Sequence, residues 1–83
     1  MTENDLENYL HNNIPLTKFM KIHIKSIEKN RLISTAPLDM NINDKGTAFG
    51  GSLSTMTIIS SWSMCFYLSK LLGYKHTNIV VYK

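Results

Sequence analysis

The chain has 83 residues, of which 43% are hydrophobic and 18% charged, and its formal net charge is +3 at pH 7. This composition is typical of a folded domain and too apolar for a disordered chain. The basic residues are scattered singly rather than interleaved with aromatic ones, so we do not expect nucleic-acid binding. The single cysteine, Cys65, excludes an intramolecular disulfide, and its place on an apolar segment predicts a buried thiol in a reducing cytoplasm.

The N-terminal segment has the spacing of an amphipathic helix. Within residues 3–11, Leu6, Tyr9 and Leu10 fall on one helical face, and Thr2 or Asn4 can cap the start. The residue before a proline is disfavoured in a helix, so Pro15 places the end of this helix just before it. The acidic start differs from a secretory signal peptide, and we therefore expect a cytoplasmic protein.

Alternation of apolar and polar residues begins near residue 19. Met20, Ile22, Ile24 and Ser26 fall on one side, with His23 on the solvent side, which predicts a strand with one buried face. A polar turn at 28–31 leads to a second apolar run at 32–38, and the pair predicts an antiparallel hairpin.

Residues 46–69 contain no Asp, Glu, Lys or Arg. We predict a long helix here, with Ser52 as its N-cap and Gly73 just past its end. About twenty residues of helix span roughly 30 Å, the thickness of a bilayer core. Serines and threonines dilute the hydrophobicity of this segment, which favours a helix buried by protein on most sides over a membrane span.

A connector at 74–78 and a buried strand at 79–82 are predicted after the helix. The predicted order is helix, strand, strand, glycine-rich turn, long helix and strand. This order predicts a single α+β domain over residues 1–83.

The glycine-rich turn before the long helix is the candidate site. The first N–H groups of a helix have no intrahelical acceptor and bind anionic groups, and glycines such as Gly46, Gly50 and Gly51 let a ligand approach the backbone. A plain strand-to-helix turn explains the same residues. The motifs of phosphate loops and dinucleotide sites are absent, and no cluster has metal-ligand spacing, so we expect neither cofactor nor metal.

The pattern Asn43-x-x-Gly46-x-x-Phe49-Gly50-Gly51 resembles that of the hotdog-fold acyl-thioester enzymes. More closely, the runs APL at 36–38, NIN at 41–43 and GTAFGGS at 46–52 resemble the YiiD-type thioesterase domain. The resemblance implies a curved antiparallel sheet wrapped around one long central helix, and paired subunits that build the active sites together.

This resemblance implies hydrolysis of an acyl thioester of coenzyme A or acyl carrier protein. Backbone N–H groups near Gly51 would polarise the thioester carbonyl, and the amide of Asn43 would orient water or substrate. The implied catalytic residues are Asn43, Gly51, Ser52 and Thr57, and the implied substrate-binding residues are Gly46, Phe49, Gly50 and Thr55.

Three departures from the family pattern keep alternatives open. Phe49 replaces a histidine that many members carry, and Ile58 stands where many hotdog thioesterases place a carboxylate. Without that carboxylate, a malonyl-type thioester decarboxylase or a non-catalytic acyl-binding or dimerisation module also fits. Family members continue for several strands beyond residues 79–82, so we expect either a fragment or an edge supplied by another chain. We therefore expect a homodimer or higher homo-oligomer, and we expect neither a membrane nor a nucleic acid as a partner.

Overall fold

The computed structural model describes residues 1–73 and has α+β architecture. The elements are α1 (Glu3–Asn13), α2 (Pro15–Phe19), β1 (His23–Glu28), β2 (Arg31–Thr35), a 3-10 turn (Leu38–Met40) and α3 (Gly50–Leu71). The connector predicted at 74–78 and the strand predicted at 79–82 lie outside the described residues.

Helix α1 begins with a capping box at Thr2, one of the two cap residues that the sequence allows. The hydroxyl of Thr2 accepts a hydrogen bond from the N–H of Asp5 (3.1 Å), and the Asp5 carboxylate accepts one from the N–H of Thr2 (2.9 Å). Leu6 and Leu10 on its inner face are fully buried. The helix ends at Asn13, just before Ile14 and Pro15, where the proline predicts its end.

Pro15 starts a second helix as well as following the first. It occupies the first turn of α2, where its missing N–H costs nothing. The helix ends in a Schellman motif, because the N–H of Ile22 donates to the carbonyl of Thr17 (3.0 Å) and the N–H of Lys21 to that of Lys18 (3.1 Å). The strand predicted from Phe19 therefore starts later, at His23.

Strands β1 and β2 form the predicted antiparallel hairpin, with Glu28 opposite Arg31. Met20, Ile22 and Ile24 are buried as their alternation predicts. The register shifts between Ile24 and Ser26, so the next buried side chain is Ile27. Such an irregularity adds one residue to a strand and moves the inward-facing position along it.

Helix α1 lies along β1 and supplies it with hydrogen-bond acceptors. The Oε1 atom of Glu7 accepts from the N–H of Ile24 (2.8 Å) and contacts Nδ1 of His23 (2.6 Å). The Oε2 atom of Glu3 accepts from the N–H of Ile27 (3.3 Å). His23 is exposed as predicted, with 61% of its side chain accessible, but it is tied to this helix.

Helix α3 packs on the rest of the described chain through one face. Ile59, Ser63 and Phe66 are buried, and the Phe66 ring stacks on Tyr9 with ring centres 4.4 Å apart. The expectation that protein buries α3 on most sides is wrong for the described residues, because Leu53 is exposed on the side away from these contacts.

Cys65 lies on this exposed side of α3, so the prediction of a buried thiol is also wrong. The packed residues recur on the face opposite to it, where α1 and the hairpin contact the helix. Within residues 1–73, no helix combines the length and apolarity needed to cross a membrane.

Candidate functional site

The segment between the 3-10 turn and α3 folds back on itself. Ile42 forms a β-bridge with Ala48, and the N–H of Phe49 donates to the carbonyl of Asn41 (2.7 Å). Gly46 makes the reversal possible, since its φ of 75° is a left-handed conformation that glycine adopts without strain. This loop delivers Phe49 to the start of α3 in a fixed position.

The side chain of Asn43 holds the loop together. Its Oδ1 accepts from the N–H groups of Lys45 (2.9 Å) and Thr47 (3.2 Å), and its Nδ2 donates to Oγ1 of Thr47 (2.8 Å). These are the local bonds that asparagine makes in turns. One hydrogen on Nδ2 is left for another acceptor, because an amide group carries two.

Helix α3 begins at Gly50, so the prediction of Ser52 as N-cap is wrong. Phe49 is the N-cap residue, with extended backbone angles, and its carbonyl accepts from the N–H of Leu53 (3.0 Å). The bridge at Ala48 and the bond from Phe49 end the extended segment there, so the paired glycines enter the helix. The N–H groups of Gly50, Gly51 and Ser52 therefore form the electropositive end of a 22-residue helix.

A cavity of about 520 Å³ lies between this helix end and α2. The described side chains around it are uncharged and mostly apolar: Leu16, Phe19, Met20, Met40, Asn41, Phe49, Gly51, Ser52 and Thr55. An apolar cavity with a few convergent polar groups is the usual form of a ligand site.

The cavity brings together half of the residues that the sequence singles out. Phe49, Gly51, Ser52 and Thr55 line it. The other four residues belong to the described chain but do not line the cavity: Asn43, Gly46, Gly50 and Thr57.

The hydroxyls of the two threonines are engaged within the helix. Thr55 Oγ1 donates to the carbonyl of Gly51 (2.8 Å), and Thr57 Oγ1 donates to that of Leu53 (3.0 Å). Serine and threonine commonly make this bond to the preceding turn. Each oxygen can still accept a hydrogen bond, but of the two residues only Thr55 lines the cavity.

Phe49 lies directly on Gly51. A β-carbon built on Gly51 would collide with the Phe49 ring, whereas one on Gly50 would meet no atom within 4 Å. The absence of a side chain at Gly51 is therefore what allows the aromatic ring to rest beside the helix end. The ring is 53% exposed and forms one wall of the cavity.

Asn41 is a lining residue that the sequence did not identify as functional. It is only 7% exposed, and its Nδ2 donates to the carbonyls of Met20 (3.2 Å) and Pro37 (2.8 Å). Its Oδ1 is buried without a hydrogen-bond partner among the described residues. The sequence shows two asparagines around Ile42, and nothing in their spacing separates the one that supports the loop from the one that lines the cavity.

Comparison with known proteins agrees with this architecture. The family model described as "Putative thioesterase (yiiD_Cterm)" matches residues 3–83. A structure described as a putative thioesterase from Shewanella oneidensis is 36% identical, with a TM-score of 0.80, covering 84% of this chain and 49% of that one. A protein of unknown function from Chlorobaculum tepidum is 38% identical, with a TM-score of 0.77, covering 82% of this chain and 42% of that one.

The chain spans less than half of either solved structure. No curated protein matches it. The described hairpin and long helix are hotdog-like, in agreement with these thioesterase-like structures. Because the family model covers nearly all of the sequence, the chain belongs to the putative thioesterase family represented by yiiD_Cterm.

Proposed function

We propose that the protein hydrolyses an acyl thioester of coenzyme A or of acyl carrier protein in the cavity at the start of α3. The observation that carries this proposal is the meeting of an apolar wall with the unpaired N–H groups at a helix end. A thioester needs both, since its acyl chain is apolar and its carbonyl oxygen gains negative charge during attack. Membership of the family supports the same reaction.

The carbonyl oxygen is held by the N–H groups of Gly51 and Ser52, which belong to the first turn of α3 and adjoin the cavity. Such donors stabilise the developing oxyanion because they are already oriented before the reaction. The acyl chain extends along Leu16, Phe19 and Met20 on the opposite wall.

The hydroxyl of Ser52 completes the polar end of the cavity. Asn43 does not line the cavity, so its free Nδ2 hydrogen orients a substrate group that extends beyond the cavity to the loop. The remaining proposed residues follow the family pattern: Thr57 as a catalytic residue, and Gly46, Phe49, Gly50 and Thr55 as binding residues.

A non-catalytic acyl-binding module is the second candidate. It is favoured by the sequence of α3, which contains no Asp or Glu that could serve as a general base. A malonyl-type substrate has less support, because no charged side chain among the described lining residues would pair with its carboxylate.

The test is to incubate the full chain with acyl-CoA and acyl-carrier-protein thioesters of increasing chain length, with malonyl-CoA included. Products should be separated by chromatography, because thiol reagents would also react with exposed Cys65. We expect hydrolysis of uncharged acyl thioesters. Tight binding without turnover would establish the acyl-binding module instead, and neither binding nor turnover by a folded chain would refute both.

We also propose that the protein works as a homodimer or higher homo-oligomer. The exposed face of α3 carries Leu53 and Ile58, which are 53% and 47% accessible. Apolar side chains such as these gain free energy when a second surface covers them.

A further inference from the structure

We propose that Asn41 positions the water molecule that attacks the thioester, an inference that rests on the proposed hydrolysis. Asn41 is only 7% exposed, and it lines the cavity beside the start of α3. Its Oδ1 has no hydrogen-bond partner among the described residues. Burying a hydrogen-bond acceptor without a donor costs free energy, so binding a molecule that donates an N–H or O–H group to this atom is favourable.

The orientation of the Asn41 amide follows from its neighbours. Its Nδ2 lies 3.2 Å from the carbonyl of Met20 and 2.8 Å from that of Pro37. Both are acceptors only, so rotating the amide would place Oδ1 against two other oxygens. The bonds from Nδ2 to α2 on one side and to the residue before the 3-10 turn on the other therefore leave Oδ1 as the free acceptor of this amide.

The described cavity wall offers Asn41 little else. Met20, Met40 and Phe49 have no donor in their side chains, and the Thr55 hydroxyl already donates to the carbonyl of Gly51. The Ser52 hydroxyl is a donor in the same wall, but no hydrogen bond joins it to Oδ1 of Asn41. Met40 and Phe49 are 49% and 53% exposed, so both can give way as an acyl chain enters and open a path to Oδ1. Water that enters with the substrate can then supply the missing donor.

In this arrangement one O–H of the water donates to Oδ1 of Asn41, and an oxygen lone pair faces the thioester carbon. The carbonyl oxygen is held by the N–H groups of Gly51 and Ser52. A carbon–oxygen bond forms, the carbon–sulfur bond breaks, and the sulfur receives a proton originating from the water through solvent. The products are a carboxylic acid and a thiol. An amide oxygen is too weakly basic to keep the proton, so Asn41 is a positioning residue rather than a base.

The test compares Asn41→Leu and Asn41→Asp with the natural chain, using octanoyl-CoA or whichever thioester of the panel is hydrolysed fastest. Leucine removes the acceptor and the donors together. A protonated aspartic acid keeps one acceptor and can donate to the carbonyl of Met20 or Pro37, so it mimics asparagine until it ionises. We expect Asn41→Leu to lower kcat on the order of 10²-fold with little change in KM. Asn41→Asp should be more active than Asn41→Leu at low pH and lose that advantage as pH rises.

A second measurement uses the natural chain and therefore does not depend on a folded variant. Octyl-CoA, a thioether that cannot be hydrolysed, should shift the side-chain amide NMR signals of Asn41 more than those of Asn43. A folded Asn41→Leu chain with unchanged kcat would overturn the inference and leave the hydrolysis intact. A loss confined to KM would also overturn it, because Asn41 would then contact the substrate itself. No turnover of any thioester by the natural chain would refute the proposed function as well.

Discussion

Lys21 adopts a backbone conformation that residues other than glycine rarely take. Its φ of 56° is left-handed, and it completes the Schellman motif that ends α2. That conformation costs a residue with a β-carbon about 1–2 kcal/mol. The tight turn at Lys21 is nevertheless kept, since it brings the carbonyl of Met20 to Asn41.

We expect Lys21→Gly to raise the free energy of unfolding by about 0.5–1 kcal/mol, after the larger backbone entropy of glycine is deducted. The matched control is Lys18→Gly, at an exposed position inside α2, which should lower it by a similar amount. Urea denaturation measures both. A destabilised Lys21→Gly would contradict the account of α2.

Asn43 combines a structural and a proposed catalytic role, and one substitution separates them. Asn43→Asp keeps an oxygen that accepts from the N–H groups of Lys45 and Thr47, so the loop should remain folded. It loses the Nδ2 hydrogens, one of which is proposed to orient the substrate. We expect turnover to fall by about 10²-fold, because the substrate is no longer held in its reactive position. If steady-state kinetics show full activity, Asn43 serves the loop alone.

At the scale of elements, α1 protects the edge of β1. An unpaired strand edge attracts other strands, and here Glu7 occupies it by accepting from the N–H of Ile24. Glu7→Ala should destabilise the fold by about 1–2 kcal/mol, because that N–H loses its partner in a half-buried position. Glu7→Gln retains an acceptor and should cost clearly less, since the exposed contact with His23 contributes little. Denaturation curves and amide exchange at Ile24 distinguish the two variants.

The capping box makes the start of α1 sensitive to acid. Hydrogen bonds from the backbone and side chain of Thr2 hold the pKa of Asp5 below its ordinary value of 3.8. Since the folded-state pKa is lowered, the contribution of Asp5 is present above pH 3.8 and is lost as pH falls through the lowered value. An NMR titration of the Asp5 carboxyl should show the lowered pKa.

Asp5→Asn is the matched control for this acid dependence, because its side-chain oxygen can still accept from the N–H of Thr2. It should remove this part of the acid sensitivity of α1 while the other carboxylates still titrate. Equal acid sensitivity in both chains would show that the capping box does not contribute to it.

At the scale of the whole molecule, one side of α3 is not covered by the other described residues. Cys65 lies on that face and reports on whether it is covered. In dilute solution we expect Cys65 to be alkylated nearly as fast as a free thiol. At higher protein concentration the rate should fall if the proposed homo-oligomer covers α3. Sedimentation measures the assembly directly, and a concentration-independent rate with a single monomer peak would contradict the oligomer.

Much of the fold could be predicted because it depends on residues close in the chain. The cap at Thr2, the alternation through Ile22 and Ile24, and the glycine stop at Gly73 are all confirmed. The family resemblance is confirmed as well, since its motif is a contiguous run in which local geometry requires Gly46 and Gly51. The second helix was missed because Pro15 both ends one helix and starts the next.

The sequence by itself thus determined the capped first helix, the hairpin, the glycine-rich turn and the family, since each depends on neighbouring residues. The tertiary structure decided where α3 begins, because the bond from Phe49 to Asn41 ends the extended loop. It also decided that Asn41 rather than Asn43 lines the cavity, through a hydrogen bond to Met20, 21 residues earlier. Contacts between residues so far apart leave no periodic signal in a sequence, and only the folded chain brings them together.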